Sequence, residues 1–296
     1  MDITAYLQEK KRLIDDALDK YVPVSKGHIS TLSSGMRYSL FAGGKRLRPI
    51  LILASCEAVG GRTERVLPFA CALELIHTYS LIHDDLPAMD DDDYRRGNLT
   101  NHKVYGEAAA VLAGDALLTE SFRLMSSPHT VSDFSPVVVL DVIHEIADAT
   151  GVFGMVGGQM VDIESEGKQV DLSCVEYIHS HKTGALISVS VRAGAKLGGG
   201  NEREIQLLSE YGEAIGLAFQ IIDDILNIEG DEKLLGKNVG SDAERGKATY
   251  PAVLGLDKSK KRAEALIGKA IDSLEEFNGQ AEPLRMIARY VGTRKR

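Results

Sequence analysis

Apolar residues recur at helical spacing from one end of the chain to the other. Ile3, Tyr6, Leu7, Leu13, Ile14, Leu18 and Tyr21 share one face of a first predicted helix, which Pro23 stops. Residues 32–42 predict a second helix, closed by Gly43 and Gly44. Residues 50–59 predict a third, with Pro49 suited to a first helical turn and Gly60 and Gly61 ending it. Residues 63–83 form a long apolar stretch, and residues 108–125 are rich in Ala and Leu. After a loop at 127–135, residues 137–161 read as one helix despite several internal glycines. Asp171 is a natural cap for the next helix, which runs to Gly198, Gly199 and Gly200. Asn201 with Glu204 forms a capping pair opening a helix that reaches Ile228. The last third reads as short helices separated by residues 236–246 and by Pro251. No hairpin dipeptide stands between alternating segments, and there is neither a dinucleotide-binding glycine fingerprint nor a solenoid repeat. The pattern predicts a single all-α domain over residues 1–296.

Composition adds exclusions. The 296-residue chain is 44% hydrophobic and carries a formal net charge of −9. That balance argues against nucleic acid as the main partner, because a phosphate backbone needs a basic face. A small diphosphate held by a local basic cluster stays compatible with it. Cys56, Cys71 and Cys174 sit in apolar helical contexts without metal-ligand spacing and read as reduced core thiols. The charged, amphipathic N-terminus lacks a signal-peptide core, and no apolar run reads as long enough to span a bilayer. A soluble, cytoplasmic protein with no stable membrane anchor is expected.

The chemistry concentrates in residues 81–97, Leu-Ile-His-Asp-Asp-Leu-Pro-Ala-Met-Asp-Asp-Asp-Asp-Tyr-Arg-Arg-Gly. Carboxylates this dense repel one another and raise each other's pKa. A hard divalent cation removes that cost, and Mg²⁺ typically binds through one or two carboxylates plus substrate phosphates. Arg95 and Arg96 add forked donors suited to phosphate oxygens. Pro87 ends the preceding buried helix where the acids begin. The plain alternative is a solvated acidic loop.

Four further clusters carry polarity where a core is expected. Gly43-Gly44-Lys45-Arg46-Leu47-Arg48 sets cations beside glycines whose backbone N–H groups can approach an anion. His77 lies seven residues before Asp84, on roughly the same helical face. Phe219-Gln220-Ile221-Ile222-Asp223-Asp224-Ile225-Leu226-Asn227 places a second acidic pair inside an apolar helix, with Gln220, Asp223 and Asn227 on one face. His181-Lys182-Thr183, with Gln159 and Asp162 on a neighbouring helix, adds polar groups that need partners. Lys237 and Lys247 flank a mixed-charge loop, and Arg289, Arg294, Lys295 and Arg296 form a basic tail read as solvated. An EF-hand counted from Asp92 fails, because positions 3, 5 and 12 are Tyr94, Arg96 and Lys103. A metal-dependent phosphohydrolase built on His77, His83 and Asp84 leaves the Gly-Gly-Lys cluster and the second acidic helix without a role.

Through these motifs, taken in order from Gly43 to the C-terminus, the chain resembles the trans-type polyprenyl diphosphate synthases, in particular the bacterial farnesyl diphosphate synthase (geranyltranstransferase) kind. The resemblance implies an isoprenoid synthase-type helical bundle around a deep central cavity, acting as a homodimer. It implies three Mg²⁺ ions on the diphosphate of an allylic substrate, with Asp84 and Asp90 as first-motif ligands, Asp85 in support, and Asp223 as second-motif ligand. Arg95, Lys182 and Lys237 would grip that diphosphate. Lys45, Arg48, His77 and Arg96, with the Gly44 backbone, would hold isopentenyl diphosphate, and Thr183 and Gln220 would turn their oxygens toward the carbocation. The family's second motif usually ends in Asp; here it ends in Asn227, a weaker metal ligand. An aromatic residue at Tyr79, about 7–8 Å deeper along the helix than Asp84, goes in that family with the C15 product. Smaller residues there go with C20. A terpene cyclase would not need the Lys45, Arg48 and His77 cluster, and a non-catalytic partner subunit would be expected to lose metal-binding aspartates.

Overall fold

The computed structural model describes residues 2–22, 24–229 and 246–294, and it is an all-α fold, as the periodicity predicts. It divides into two compact units, residues 1–53 with 63–139 and residues 54–62 with 140–296. Each is built round one long helix.

In the first unit that helix is α4 (Thr63–Asp84), against which α1 (Ile3–Tyr21), α2 (Ser30–Leu40) and α6 (Glu107–Met125) pack. Helix α3 (Leu47–Ala58) begins here. Helix α4 has no polar face, so it is stable only when enclosed on all sides. Phe69, Ala70, Cys71, Ala72, Leu73, Leu75 and Ile76 are all fully buried. The expectation that no segment is long and apolar enough to cross a bilayer is corrected here. Its 22 residues pass by length and composition, but 72% of the apolar window is buried by neighbouring helices, as in a core helix. The helix stops at Asp84, ahead of Pro87, as predicted.

Beyond α4 the chain makes a small antiparallel hairpin, β1 (Tyr94–Arg95) with β2 (Asn98–Leu99), and a short helix α5 (Asn101–Tyr105). This hairpin was not expected. Its two-residue turn is Arg96-Gly97, at φ +55° and +80°, the left-handed pair that hairpin turns require. Arginine is a poor residue for that conformation. The turn is held from elsewhere, by the Arg96 side chain donating to the Gly43 carbonyl.

The second unit is organised by α12 (Glu202–Glu229). Asn201 and Glu204 cap it reciprocally, Asn201 N to Glu204 Oε2 at 2.8 Å and Glu204 N to Asn201 Oδ1 at 3.0 Å, as the sequence predicts. Asp171 caps α10 (Leu172–Ile178) by accepting from Cys174 N at 2.9 Å, again as predicted. Between α10 and α11 (Ala185–Gly198) the chain takes one wider π turn at His179–Gly184. Residues 137–161 are not one helix. After a short α7 (Pro128–Val131), they fall in α8 (Pro136–Thr150) and α9 (Met155–Ser165). The backbone turns between Gly151 and Gly154, where a Cβ on Gly154 would fall 2.0 Å from the Ala149 carbonyl oxygen. The C-terminal region is less fragmented than expected: after the short Tyr250–Leu254 helix, with Pro251 in its first turn, come helices of 17 residues (Leu256–Asp272) and 12 (Glu282–Thr293). Cys56 and Cys71 are buried, and burial pushes the Cys71 thiol up.

Candidate active site

In the first unit the end of α4 carries the acidic stretch. The Asp90 N–H donates to the Asp84 carbonyl at 2.8 Å, closing the loop so that the two aspartates stand at its neck. Asp84 and Asp90 are half-buried, whereas Asp85 is 3% exposed. Asp85 turns inward to accept from Arg95 Nε at 2.6 Å. Burial pushes its carboxyl above the usual range, and Arg95 offsets this only in part. All the donors at this neck are hard carboxylate oxygens, the set that suits Mg²⁺.

The three cations of the Gly-Gly-Lys-Arg-Leu-Arg cluster separate. Arg46 is 3% exposed and points into the core, with Nη1 2.7 Å from Glu74 Oε1 and Nε 2.8 Å from Asp15 Oδ1. It fixes the loop and is unavailable to a ligand. Lys45 is exposed and Arg48 half-buried. Arg96 lies against Gly44, where a Cβ would stand 2.7 Å from its Nη1, and the Gly44 backbone at φ +122° favours glycine. Burial, with Arg46 and Arg95 nearby, lowers the Arg96 pKa. Burial and then Arg48, Arg96, Arg95 and Arg46 hold His77 neutral, well below the usual imidazole value. Cationic groups kept together against their own repulsion make an anion-binding field. Gly44, Arg48, His77 and Arg96 are thus brought together, and Asp85, Arg95 and Arg96 line a common cavity with Tyr38, Thr78 and Asn101.

Tyr79 is 6% exposed and meets His83 edge to face, ring centroids 5.6 Å apart. The His83 ring leans on α6 at Gly114, with Nε2 3.1 Å from the Val111 carbonyl. Burial, and then the charge of Asp84, pushes the Tyr79 hydroxyl up to about 12, so it stays neutral. Sequence reasoning did not foresee His83 as the brace of this ring.

In the second unit the wide turn at His179–Gly184 presents Lys182 and Thr183, and such turns commonly mark functional positions. Lys182 Nζ donates to Asp162 Oδ2 at 2.6 Å, and Thr183 and Gln220 are half-buried. The second acidic pair splits as the first does. Asp223 is exposed, with Arg294 Nη2 2.5 Å from its Oδ1. Asp224 is 6% exposed and accepts from His179 Nε2 and from the Tyr250 N–H, both at 2.8 Å. The expectation of a solvated basic tail is corrected at Arg294. It is buried, stacked on the Phe219 ring at 3.8 Å and bonded to the Phe219 carbonyl at 2.8 Å. Nothing local in the sequence distinguishes Arg294 from Arg289, which pairs with Glu282 at the surface. Lys237 lies outside the described residues, as do Lys295 and Arg296.

An all-α chain with two acidic pairs on apolar helices and a cationic glycine loop has the inventory of an enzyme acting on diphosphate esters. The sequence matches the polyprenyl synthetase family over residues 29–283, and the chain belongs to that family. Farnesyl diphosphate synthase of Geobacillus stearothermophilus is 47% identical to it over 296 residues, covering 99% of this chain and 98% of its own. Geranylgeranyl diphosphate synthase of Cyanophora paradoxa is 47% identical over 294 residues, with 99% and 97% covered. The crystal structure of geranylgeranyl pyrophosphate synthetase from Pyrococcus horikoshii superposes with a TM-score of 0.90 at 33% identity, covering 99% of this chain and 98% of that one. The chain is a prenyltransferase, and its relatives' names divide between farnesyl and geranylgeranyl products.

Proposed function

We propose that the chain joins isopentenyl diphosphate head-to-tail to dimethylallyl and then geranyl diphosphate, yielding farnesyl diphosphate (C15) and free diphosphate. The observation that carries the chain length is Tyr79, a buried ring braced by His83 five residues back from Asp84. The geranylgeranyl names among close relatives favour C20 as the second reading.

Asp84, Asp90 and Asp223 are proposed to hold Mg²⁺, three ions in all. Bound Mg²⁺ would take up negative charge developing on the allylic diphosphate as it leaves. Arg95, Lys182 and Lys237 would grip that diphosphate, while Asp85 sets the angle of Arg95. Lys45, Arg48, Arg96 and the Gly44 backbone would bind isopentenyl diphosphate. His77, held neutral, would donate a hydrogen bond to it without adding charge. The allylic C–O bond breaks, its electron pair leaving with the diphosphate, and apolar side chains keep water from the carbocation. The Thr183 and Gln220 oxygens would face that charge. The double bond of isopentenyl diphosphate then forms the new C–C bond, and the proton lost from the neighbouring carbon passes to the departed diphosphate. The reading treats residues 1–296 as one catalytic domain, working as a cytoplasmic homodimer.

Product analysis with labelled isopentenyl and dimethylallyl diphosphates, with and without Mg²⁺, tests this. A Mg²⁺-dependent C15 product is expected, lengthened in Tyr79→Ala. A C20 product from the wild type removes the Tyr79 floor, and no elongation by folded protein overturns the reading.

A further inference from the structure

We propose that Asp91, Asp93 and His102 form a separate site for a divalent transition-metal ion, which fastens the base of the Tyr94–Leu99 hairpin. One ligand atom from each of the three lies within 4.8 Å of the others, a spacing one ion can bridge. The two carboxylates are exposed, and acidic groups alone would be ordinary surface.

The imidazole is what makes the cluster a site. His102 is 7% exposed, and its Nε2 is buried with no hydrogen-bond partner among the described residues. Its Nδ1 lies 3.2 Å from Thr100 Oγ1, which itself donates to the Asp92 carbonyl at 2.7 Å. Outer-shell bonds of this kind orient metal-ligating histidines. A buried ring nitrogen without a partner is costly, and a metal ion satisfies it. Asp93 accepts from Lys103 Nζ at 2.7 Å, yet a carboxylate offers about four lone-pair positions, enough for a cation as well.

The donor set also selects the ion. Two carboxylates and a neutral imidazole balance a dication, and the nitrogen favours Mn²⁺ or Zn²⁺ over Mg²⁺, which prefers oxygen alone. Such an ion would tie residues 91–93 to the first turn of α5, closing the loop that carries Arg95 and Arg96. The site would act by positioning those arginines.

Mn²⁺ binding to the full chain, in excess Mg²⁺ and without diphosphate, tests this by pulsed electron paramagnetic resonance. One Mn²⁺ per chain with a directly coupled nitrogen is expected. Asp91→Asn with Asp93→Asn, both at the surface, should weaken binding by at least about tenfold and abolish the rise in melting temperature that Mn²⁺ gives the wild type. His102→Gln should remove the nitrogen coupling. Asp84→Asn should keep it. Oxygen-only coupling in the wild type, unchanged affinity in the double variant, or loss of the nitrogen signal in Asp84→Asn would each overturn the proposal.

Discussion

The two acidic pairs, Asp84-Asp85 and Asp223-Asp224, lie in different units and are built on the same plan. In each, the first aspartate stands toward solvent and the second turns into the core. Asp85 takes Arg95, and Asp224 takes His179 and the Tyr250 backbone. Asp223 and Asp224 are neighbours on α12 and point about 100° apart, while Asp85 lies just past the end of α4, where the chain turns away from Asp84. The difference lies in what holds the outer member. Asp84 is tied through its carbonyl to Asp90, whereas Asp223 has its charge covered by Arg294. Adjacent carboxylates therefore divide: the inner member of each pair is bonded into the scaffold, and the outer one is the member proposed to meet a ligand.

The largest effect expected from that division is on turnover. Asp84→Ala and Asp223→Ala should each lower kcat/KM by about 10²-fold or more in the prenyl-transfer assay, with urea midpoints close to wild type. Wild-type turnover in either would break the comparison at its outer position. Next comes stability. Asp224→Ala strands His179 and the Tyr250 N–H and should cost about 3 kcal/mol in urea unfolding, and Asp85→Ala, losing its partnership with Arg95, about 2 kcal/mol. Equal stability in all four alanine variants would show that the inner members are not structural. Arg294→Ala removes the cover on Asp223 and its stacking on Phe219, with an expected cost of about 1 kcal/mol.

The smallest effect is a slope. Because burial and four guanidinium groups lower the His77 pKa, below pH ~6.5 the unfolded chain binds a proton that the folded chain refuses. Stability from this group is complete above that pH and is lost as pH falls toward the folded value. His77→Asn should flatten that part of the stability profile, measured by urea unfolding at successive pH values.

Much was legible in the sequence because it is local. Helix ends at Asp171, at Asn201 with Glu204, and before Pro87 are set by groups within four residues, so reading them needs no partner. The acidic motifs and the Gly43-Gly44 loop were visible because dense charge beside apolar residues is costly without a ligand. Arg96-Gly97 was not read as a turn, since arginine is rarely left-handed and its anchor, the Gly43 carbonyl, is 53 residues away. The break at Gly151–Gly154 was likewise read through, because glycines inside an apolar stretch do not say whether the chain turns.

By itself the sequence determined an all-α chain, the location of its charge clusters and the family they mark. Only the tertiary structure decided which member of each cluster turns inward: Arg46 to Glu74 while Arg96 lies against Gly44, Asp85 to Arg95, and Arg294 onto Asp223 while Arg289 stays at the surface. The reason is distance along the chain. The inward choices are made by partners distant in sequence, 10 residues for Arg95 with Asp85, 28 for Arg46 with Glu74 and 71 for Arg294 with Asp223. A periodic pattern carries the face of a helix but not what the fold brings to it.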